Sequence, residues 1–201
     1  EHAASLFGLK EFGNIYSRLG NPTVGALEAR LTALDGGAMS VALASGTSAV
    51  MYSLINIMSQ GDNFVTASQL YGGTYTMFEN ILPEYGINAK KVDITDLKAV
   101  EDGIDEKTRA VYCETVTNPG LVVADITALS EIAHKHGIPL IVDATFTTSA
   151  IQKSFEFGAD IVVYSLTKWM SGHGRVIAGA VIEKGGFDWG NGNFPLYDKP
   201  D

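Results

Sequence analysis

Apolar positions along this chain alternate between two spacings. Between Asn21-Pro22-Thr23 and Gly36-Gly37, Val24, Leu27, Leu31 and Leu34 recur every three or four residues, which predicts an amphipathic helix with its own start and stop signals. Ser40 to Ala44 is instead a short continuous run, read as a strand. It ends at Ser45-Gly46-Thr47-Ser48, and Ala49 to Met58 again reads as helix, stopped by Gly61-Asp62. The alternation then repeats. Strand Phe64 to Ala67 leads through Tyr71-Gly72-Gly73 to helix Thr74 to Leu82, and Ala89 to Val92 leads to helix Leu97 to Gly103. Ala110 to Cys113 leads through Asn118-Pro119-Gly120 to helix Ile126 to His136. Leu140 to Val142 ends at Asp143, followed by a weaker helix near Ser149 to Phe157. Ile161 to Tyr164 leads to the turn Ser165-Leu166-Thr167-Lys168 and a last apolar run, Val176 to Ile182.

Continuous apolar strands alternating with helices imply a three-layer α/β/α fold around a mainly parallel sheet covered on both faces. Two segments stand outside the pattern. Leu6 to Leu19 mixes Phe7, Phe12, Ile15 and Tyr16 with glycines and follows neither period, as expected of an extended arm. The stretch after Gly185-Gly186, with Phe187, Trp189 and Phe194 among Gly and Asn, reads as a loop that needs a partner surface. Three parts are expected: an arm over 1–22, an α/β domain over 23–186, and a loop over 187–201 leading toward a further domain.

Composition narrows the function classes. The 201 residues carry 14 Lys plus Arg against 23 Asp plus Glu, a formal charge of −9, so nucleic acid, which demands a basic face, is set aside as a partner. Charged residues make up 18%, below the ~25% usual for soluble domains, which points to surface covered by other subunits. The single cysteine, Cys113, leaves no disulfide framework and fits a reducing cytoplasm. No apolar run approaches the ~18 residues of a membrane span.

In a parallel sheet, ligands gather beyond the carboxyl ends of the strands. Five polar groups fall there: Ser45-Gly46-Thr47, Tyr71-Gly72-Gly73, Glu114 with Asn118-Pro119, Asp143, and Ser165-Thr167-Lys168. A small-residue turn feeding a helix start, as at Ser45-Gly46-Thr47, offers free N–H groups and a positive dipole end to a phosphate, although such turns also serve as plain helix caps. The spaced glycines of a dinucleotide site and the Gly-Lys-Ser/Thr of a nucleotide loop are both missing. Asp143 and Lys168 each end an apolar strand one α/β unit apart, so adjacent strands would bring them close. Desolvation beside Trp169 and Gly172-His173-Gly174 would favour a neutral, nucleophilic amine. A buried ion pair is the plain alternative. A Schiff-base lysine, a carboxylate for a pyridine nitrogen, a phosphate cradle and an aromatic ring, here Tyr71, together meet the needs of pyridoxal 5′-phosphate chemistry.

Taken together, Tyr16-Ser17-Arg18, Asn21-Pro22-Thr23, Ala44-Ser45-Gly46, Tyr71-Gly72-Gly73-Thr74, Glu114-Thr115 with Asn118-Pro119, Val142-Asp143 with Thr145-Phe146, and Ser165-Leu166-Thr167-Lys168-Trp169 resemble the Cys/Met-metabolism family of pyridoxal phosphate enzymes. That family has the aspartate aminotransferase-like architecture called fold type I. The resemblance implies that Lys168 bonds the cofactor, Asp143 pairs with its ring nitrogen, and Tyr71 stacks on the ring and is a second acid/base candidate. The backbone of Gly46 and Thr47 with the hydroxyls of Ser165 and Thr167 would hold the phosphate, Ser45 would belong to the same cofactor-binding turn, and Asn118 would lie near the ring 3-hydroxyl. Tyr16 and Arg18 would reach the phosphate of a neighbouring subunit in a homo-oligomer, expected to be a tetramer built from dimers.

The Leu6 to Arg18 arm and the Phe187-Asp188-Trp189 stretch look most like the branch that performs γ-replacement on O-acetyl-L-homoserine. Sulfide or a thiol would be the acceptor, homocysteine or methionine the product and acetate the leaving group. A γ-synthase or γ-lyase of the same family, or a silent oligomeric scaffold, are the alternatives. Ala144 stands where relatives usually have Asn, and Arg175 where small residues are common, which turns attention to the substrate side of the pocket.

Overall fold

A computed structural model of the chain describes residues 1–197. Its centre is one seven-stranded sheet in the order β1-β7-β6-β5-β4-β2-β3, with β1 Met39–Leu43, β2 Asn63–Ala67, β3 Asn88–Val92, β4 Thr108–Glu114, β5 Leu140–Asp143, β6 Ile161–Ser165 and β7 Gly179–Glu183. Strands β3, β2, β4, β5 and β6 run parallel, and β7 is antiparallel to both β6 and β1. The reversal follows from the link between β6 and β7, which holds only a short 3₁₀ turn, Trp169–Ser171, and no crossover helix that could carry the chain back to the start of the sheet.

The helices are α1 His2–Phe7, α2 Pro22–Asp35, α3 Gly46–Ile55, α4 Gly72–Thr76, α5 Leu97–Asp102, α6 Ile126–Lys135 and α7 Thr148–Ile151. Local chemistry sets their ends. The Asn21 side chain caps α2 by accepting from the N–H groups of Thr23 and Val24, Pro22 sits in its first turn, and Gly36 at φ 75° closes it. The helix expected over Thr74 to Leu82 is divided into α4, a π-helical turn Met77–Ile81 and a 3₁₀ turn Leu82–Tyr85. Pro83, which lacks an N–H, prevents continuation as an α-helix. The weaker helix expected near Ser149 to Phe157 is likewise two short pieces, α7 and a 3₁₀ turn Ser154–Phe157.

Every residue of β2 is buried, and β4, β5 and β6 are nearly so, as a sheet covered on both faces requires. At the other end of the sheet the expectation of full cover fails. Val41 and Leu43 of β1, Val181 of β7 and Tyr52 and Ile55 of α3 line an open apolar groove of ≈ 630 Å³. On the covered side Phe78 meets the rings of Phe64 and Tyr112 edge-on, with centroids 4.7 and 5.2 Å away. That packing fixes the Tyr112 ring beneath the carboxyl end of β4.

The two aperiodic segments behave differently. The arm is helical over α1 and then turns, with Phe7, Leu9, Phe12 and Leu19 exposed. The stretch after Gly186 finds its partner surface on its own chain. Phe194 is buried among Phe187 and Trp189, and the side chains of Asn191 and Asn193 donate to the Gly137 carbonyl. Residues 198–201 of that expected loop lie outside the described residues.

Candidate active site

The carboxyl ends of β2, β4, β5 and β6 surround a cleft of ≈ 690 Å³. Ser45, Gly46, Thr47, Tyr71, Asn118, Asp143, Ser165, Thr167 and Lys168 all line it. Nine of the eleven residues singled out from sequence thus converge, and they come from five separate loops. Adjacent pairing of β5 with β6, which sets Asp143 opposite Val163, is what joins Asp143 to the Ser165–Lys168 turn.

The start of α3 is built to hold an anion. Ser45 caps it reciprocally with Ser48, and the Ala49 N–H goes to the Ser45 carbonyl. The N–H groups of Gly46 and Thr47 are left without acceptors among the described residues, at the positive end of the helix. Only glycine fits at 46, since a Cβ there would lie 2.4 Å from the Ser165 Cβ. That close approach brings the two groups expected to share a phosphate side by side. The Ser165 N–H donates to Thr145 Oγ1 at 2.7 Å, which ties β6 to the end of β5. The Thr167 hydroxyl is engaged with the backbone of Ala178, accepting its N–H at 3.1 Å, so it would have to turn to meet an anion.

Asp143 is half-buried at the cleft floor. Its Oδ1 accepts the Thr145 N–H at 2.9 Å, and the Tyr112 hydroxyl lies 3.4 Å from Oδ2. Burial pushes its carboxyl above the usual range against these hydrogen bonds, and no cation offsets that among the described residues. A desolvated carboxylate without a cation, on the floor of a cleft whose wall offers unpaired N–H groups, fits a ligand with a protonated ring nitrogen at one end and a phosphate at the other. The site therefore accommodates pyridoxal phosphate.

Lys168 stands at the cleft's edge and is exposed in the single chain, so the burial expected around its amine is not supplied by these residues. Trp169 and Ile177 beside it are also exposed. Tyr71 caps α4 at the mouth, and its ring occupies space left by Gly73, whose Cβ would lie 2.7 Å from the ring. Asn118 is exposed and precedes a cis proline, Pro119. Tyr16 and Arg18 lie outside the cleft. Arg18 donates to the Tyr16 hydroxyl at 2.8 Å and stacks over its ring at 5.3 Å. Ala144 is wholly buried, with its carbonyl accepting from the Thr148 N–H, and it does not line the cleft.

Sequence reasoning gave no role to Thr145, although Thr145-Phe146 was part of the motif, and missed the acceptor role of Glu114. Glu114 is buried, and burial together with the nearby Asp143 carboxylate raises its carboxyl to about 7, against the N–H groups of Tyr71 and Asn118 that it accepts. Its place at the end of β4, matching Asp143 on β5, was the signal available.

This sheet, with a lysine, a carboxylate and a helix start converging at its strand ends, has the α/β fold and cleft of a pyridoxal-phosphate-dependent enzyme. More narrowly, the chain belongs to the family described as Cys/Met metabolism PLP-dependent enzymes, whose profile matches residues 1–196. It is 47% identical to an O-acetyl-L-homoserine sulfhydrylase of Leptospira meyeri over 100% of this chain and 46% of that protein. A crystal structure of an O-acetylhomoserine (thiol)-lyase from Campylobacter jejuni, carrying N′-pyridoxyl-lysine-5′-monophosphate, superposes with a TM-score of 0.94 at 41% identity, over 99% of this chain and 50% of that one. A cystathionine gamma-lyase from Lactobacillus plantarum, complexed with L-serine, gives 0.81 at 40% identity over 85% and 44%. The chain spans about half the length of the known relatives it matches.

Proposed function

We propose that this chain is the cofactor domain of an enzyme that replaces the acetyl group of O-acetyl-L-homoserine with sulfide or a thiol, giving homocysteine or methionine and acetate. The observation that carries the reading is the cation-free Asp143 carboxylate in one cleft with Lys168 and the open N–H groups of Gly46 and Thr47. The likeness to O-acetylhomoserine enzymes over the whole chain supports the choice of substrate.

Pyridoxal phosphate, when bound, supplies a carbonyl for amines and a ring that withdraws electrons from the substrate carbons. The chain's own residues do the rest. Asp143 holds a proton on the ring nitrogen, because a buried carboxylate lowers its energy most by pairing with a cation. The N–H groups of Gly46 and Thr47, with the Ser165 and Thr167 hydroxyls, would hold the phosphate, and Ser45 would hold the helix start in place beneath it. Tyr71 covers the ring face, and Asn118 lies by the 3-hydroxyl. Lys168 would hold the cofactor through its amine, and during turnover that amine would take the proton from Cα and carry protons at Cβ. Tyr71 would be a second acid/base group, and acetate would leave from Cγ before sulfide or a thiol adds there.

Tyr16 and Arg18 serve the phosphate of a neighbouring copy in a cytoplasmic tetramer. The exposed apolar arm and the exposed Trp169 and Ile177 at the cleft mouth support such an assembly. A γ-lyase reading has its own support in the likeness to cystathionine gamma-lyase.

Given O-acetylhomoserine and sulfide, the full-length enzyme should form homocysteine and acetate in equal amounts; ketoacid released in place of homocysteine selects the lyase reading. Borohydride reduction and peptide mapping should place the cofactor on Lys168. A label confined to Lys153 or Lys184 removes the assignment.

A further inference from the structure

We propose that Glu114 is the positioning residue of this site: its carboxylate locks together the two loops that carry Tyr71 and Asn118, and so presets the space for the cofactor ring. Oε1 accepts the Tyr71 N–H at 2.7 Å, across 43 residues of sequence, and Oε2 accepts the Asn118 N–H at 3.0 Å. Each oxygen thus holds one loop, and both loops line the cleft. Glu114 itself does not line the main cleft. It borders a small recess of ≈ 60 Å³ that shares Tyr71, Asn118 and Asp143 with that cleft. The inference rests on the cofactor reading above only for what the preset space receives.

The chemistry requires both oxygens to be free acceptors. An amide NH₂ cannot accept a main-chain N–H, and the hydroxyl oxygen of a protonated carboxyl accepts one far more weakly than a carboxylate oxygen does, so replacement by Gln or uptake of a proton loosens the hold on one of the two loops. Other titratable groups constrain when that happens. Asp143 faces Glu114 from β5, Cys113 and Tyr112 precede it on β4, and Tyr71 approaches from α4, while Lys168 and His173 are at the main cleft. Burial is the largest influence and Asp143 repels the anion, so the carboxyl is pushed up to about 7. The bracket is therefore complete above that pH and half-open below it.

Amide hydrogen exchange on the full chain without cofactor tests the bracket directly. After correction for intrinsic rates, protection of the Tyr71 or Asn118 amide should fall several-fold from pH 8 to pH 6. The Thr115 amide, bonded to the Asp143 carbonyl at 3.0 Å, should keep its protection. In Glu114→Gln at pH 8 one of the two amides should exchange about tenfold faster, as loss of a charge-assisted hydrogen bond allows, and pyridoxal phosphate titrated into that variant should bind about tenfold more weakly than to the wild type.

Unchanged protection at both amides in the variant and across pH, with cofactor affinity within twofold of wild type, overturns the proposal. Failure of the wild type to take up pyridoxal phosphate would instead sink the cofactor reading, and the exchange data would still judge the bracket.

Discussion

Asp143 shows how a residue can be poor for stability and good for function at once. Its carboxyl is held above 3.8 by burial, so the folded chain binds that proton more tightly than the unfolded chain. The sign of the linkage follows: the contribution to stability is full below the unfolded value and is lost as pH rises through the folded one. At pH 8 without cofactor, Asp143→Asn, which keeps an acceptor for the Thr145 N–H, should therefore unfold at a denaturant concentration equal to or above that of wild type. The same variant cannot hold a proton on a ring nitrogen, and turnover of the full-length enzyme should drop by at least about a hundredfold. A variant that is less stable and still active would make Asp143 a structural residue. Asp143 and Lys168 were legible as candidates because each is an ionisable side chain closing an apolar strand. Glu114 closes β4 in the same way, but its two acceptors face backbone N–H groups, and no residue type in the sequence announces such a partner.

Among the elements, the first turn of α3 carries the most chemistry for its length. Its cap chemistry is local, with Ser45 and Ser48 satisfying one another's backbone, and could be read directly. Its fit against β6 is not local. Gly46 lies so close to Ser165 that an added Cβ would fall 2.7 Å from the Ser165 Cα, a contact with backbone that cannot rotate away. Gly46→Ala should push the helix start off β6 and separate the two halves of the phosphate cradle. The expected result is a folded protein whose affinity for pyridoxal phosphate falls by tenfold or more, read by titration, while its affinity for a phosphate-free pyridoxal changes little. Equal losses for both ligands would mean that the whole cleft, and not the cradle, had moved. Strand β7 makes the same point. Its apolar run was visible, but its antiparallel direction depends on the short link from β6, since direction is decided by how the chain can return.

The whole molecule leaves its arm with little to do on its own chain. Phe7, Leu9, Phe12 and Leu19 are exposed, and Arg18 bonds only Tyr16 among the described residues. An apolar surface of this kind is covered in a stable assembly, and a guanidinium paired with a phenol is free to exchange that partner for a phosphate. If the arm completes a neighbouring cleft, mixing full-length Arg18→Ala with full-length Lys168→Ala should regenerate activity, because hybrids hold sites with Lys168 from one copy and Arg18 from the other. Hybrids that form yet never exceed the two parents would confine the arm to its own chain.

What the sequence determined by itself was everything set by near neighbours. Recurrence every three or four residues marked helices and short continuous apolar runs marked strands, Asn21-Pro22 and Gly36 marked the ends of α2, and polar residues closing apolar strands marked the chemistry. The boundaries blurred where a local period met an obstacle such as Pro83. Only the tertiary structure decided the order β1-β7-β6-β5-β4-β2-β3, the open groove beside β1, and the reach of Glu114 to a loop 43 residues away. The physical reason is that periodicity reports which face of an element is apolar but not which other face will cover it. That choice is made by burying surfaces distant in sequence, and the candidate site exists only where those choices bring five strand-end loops around one cleft.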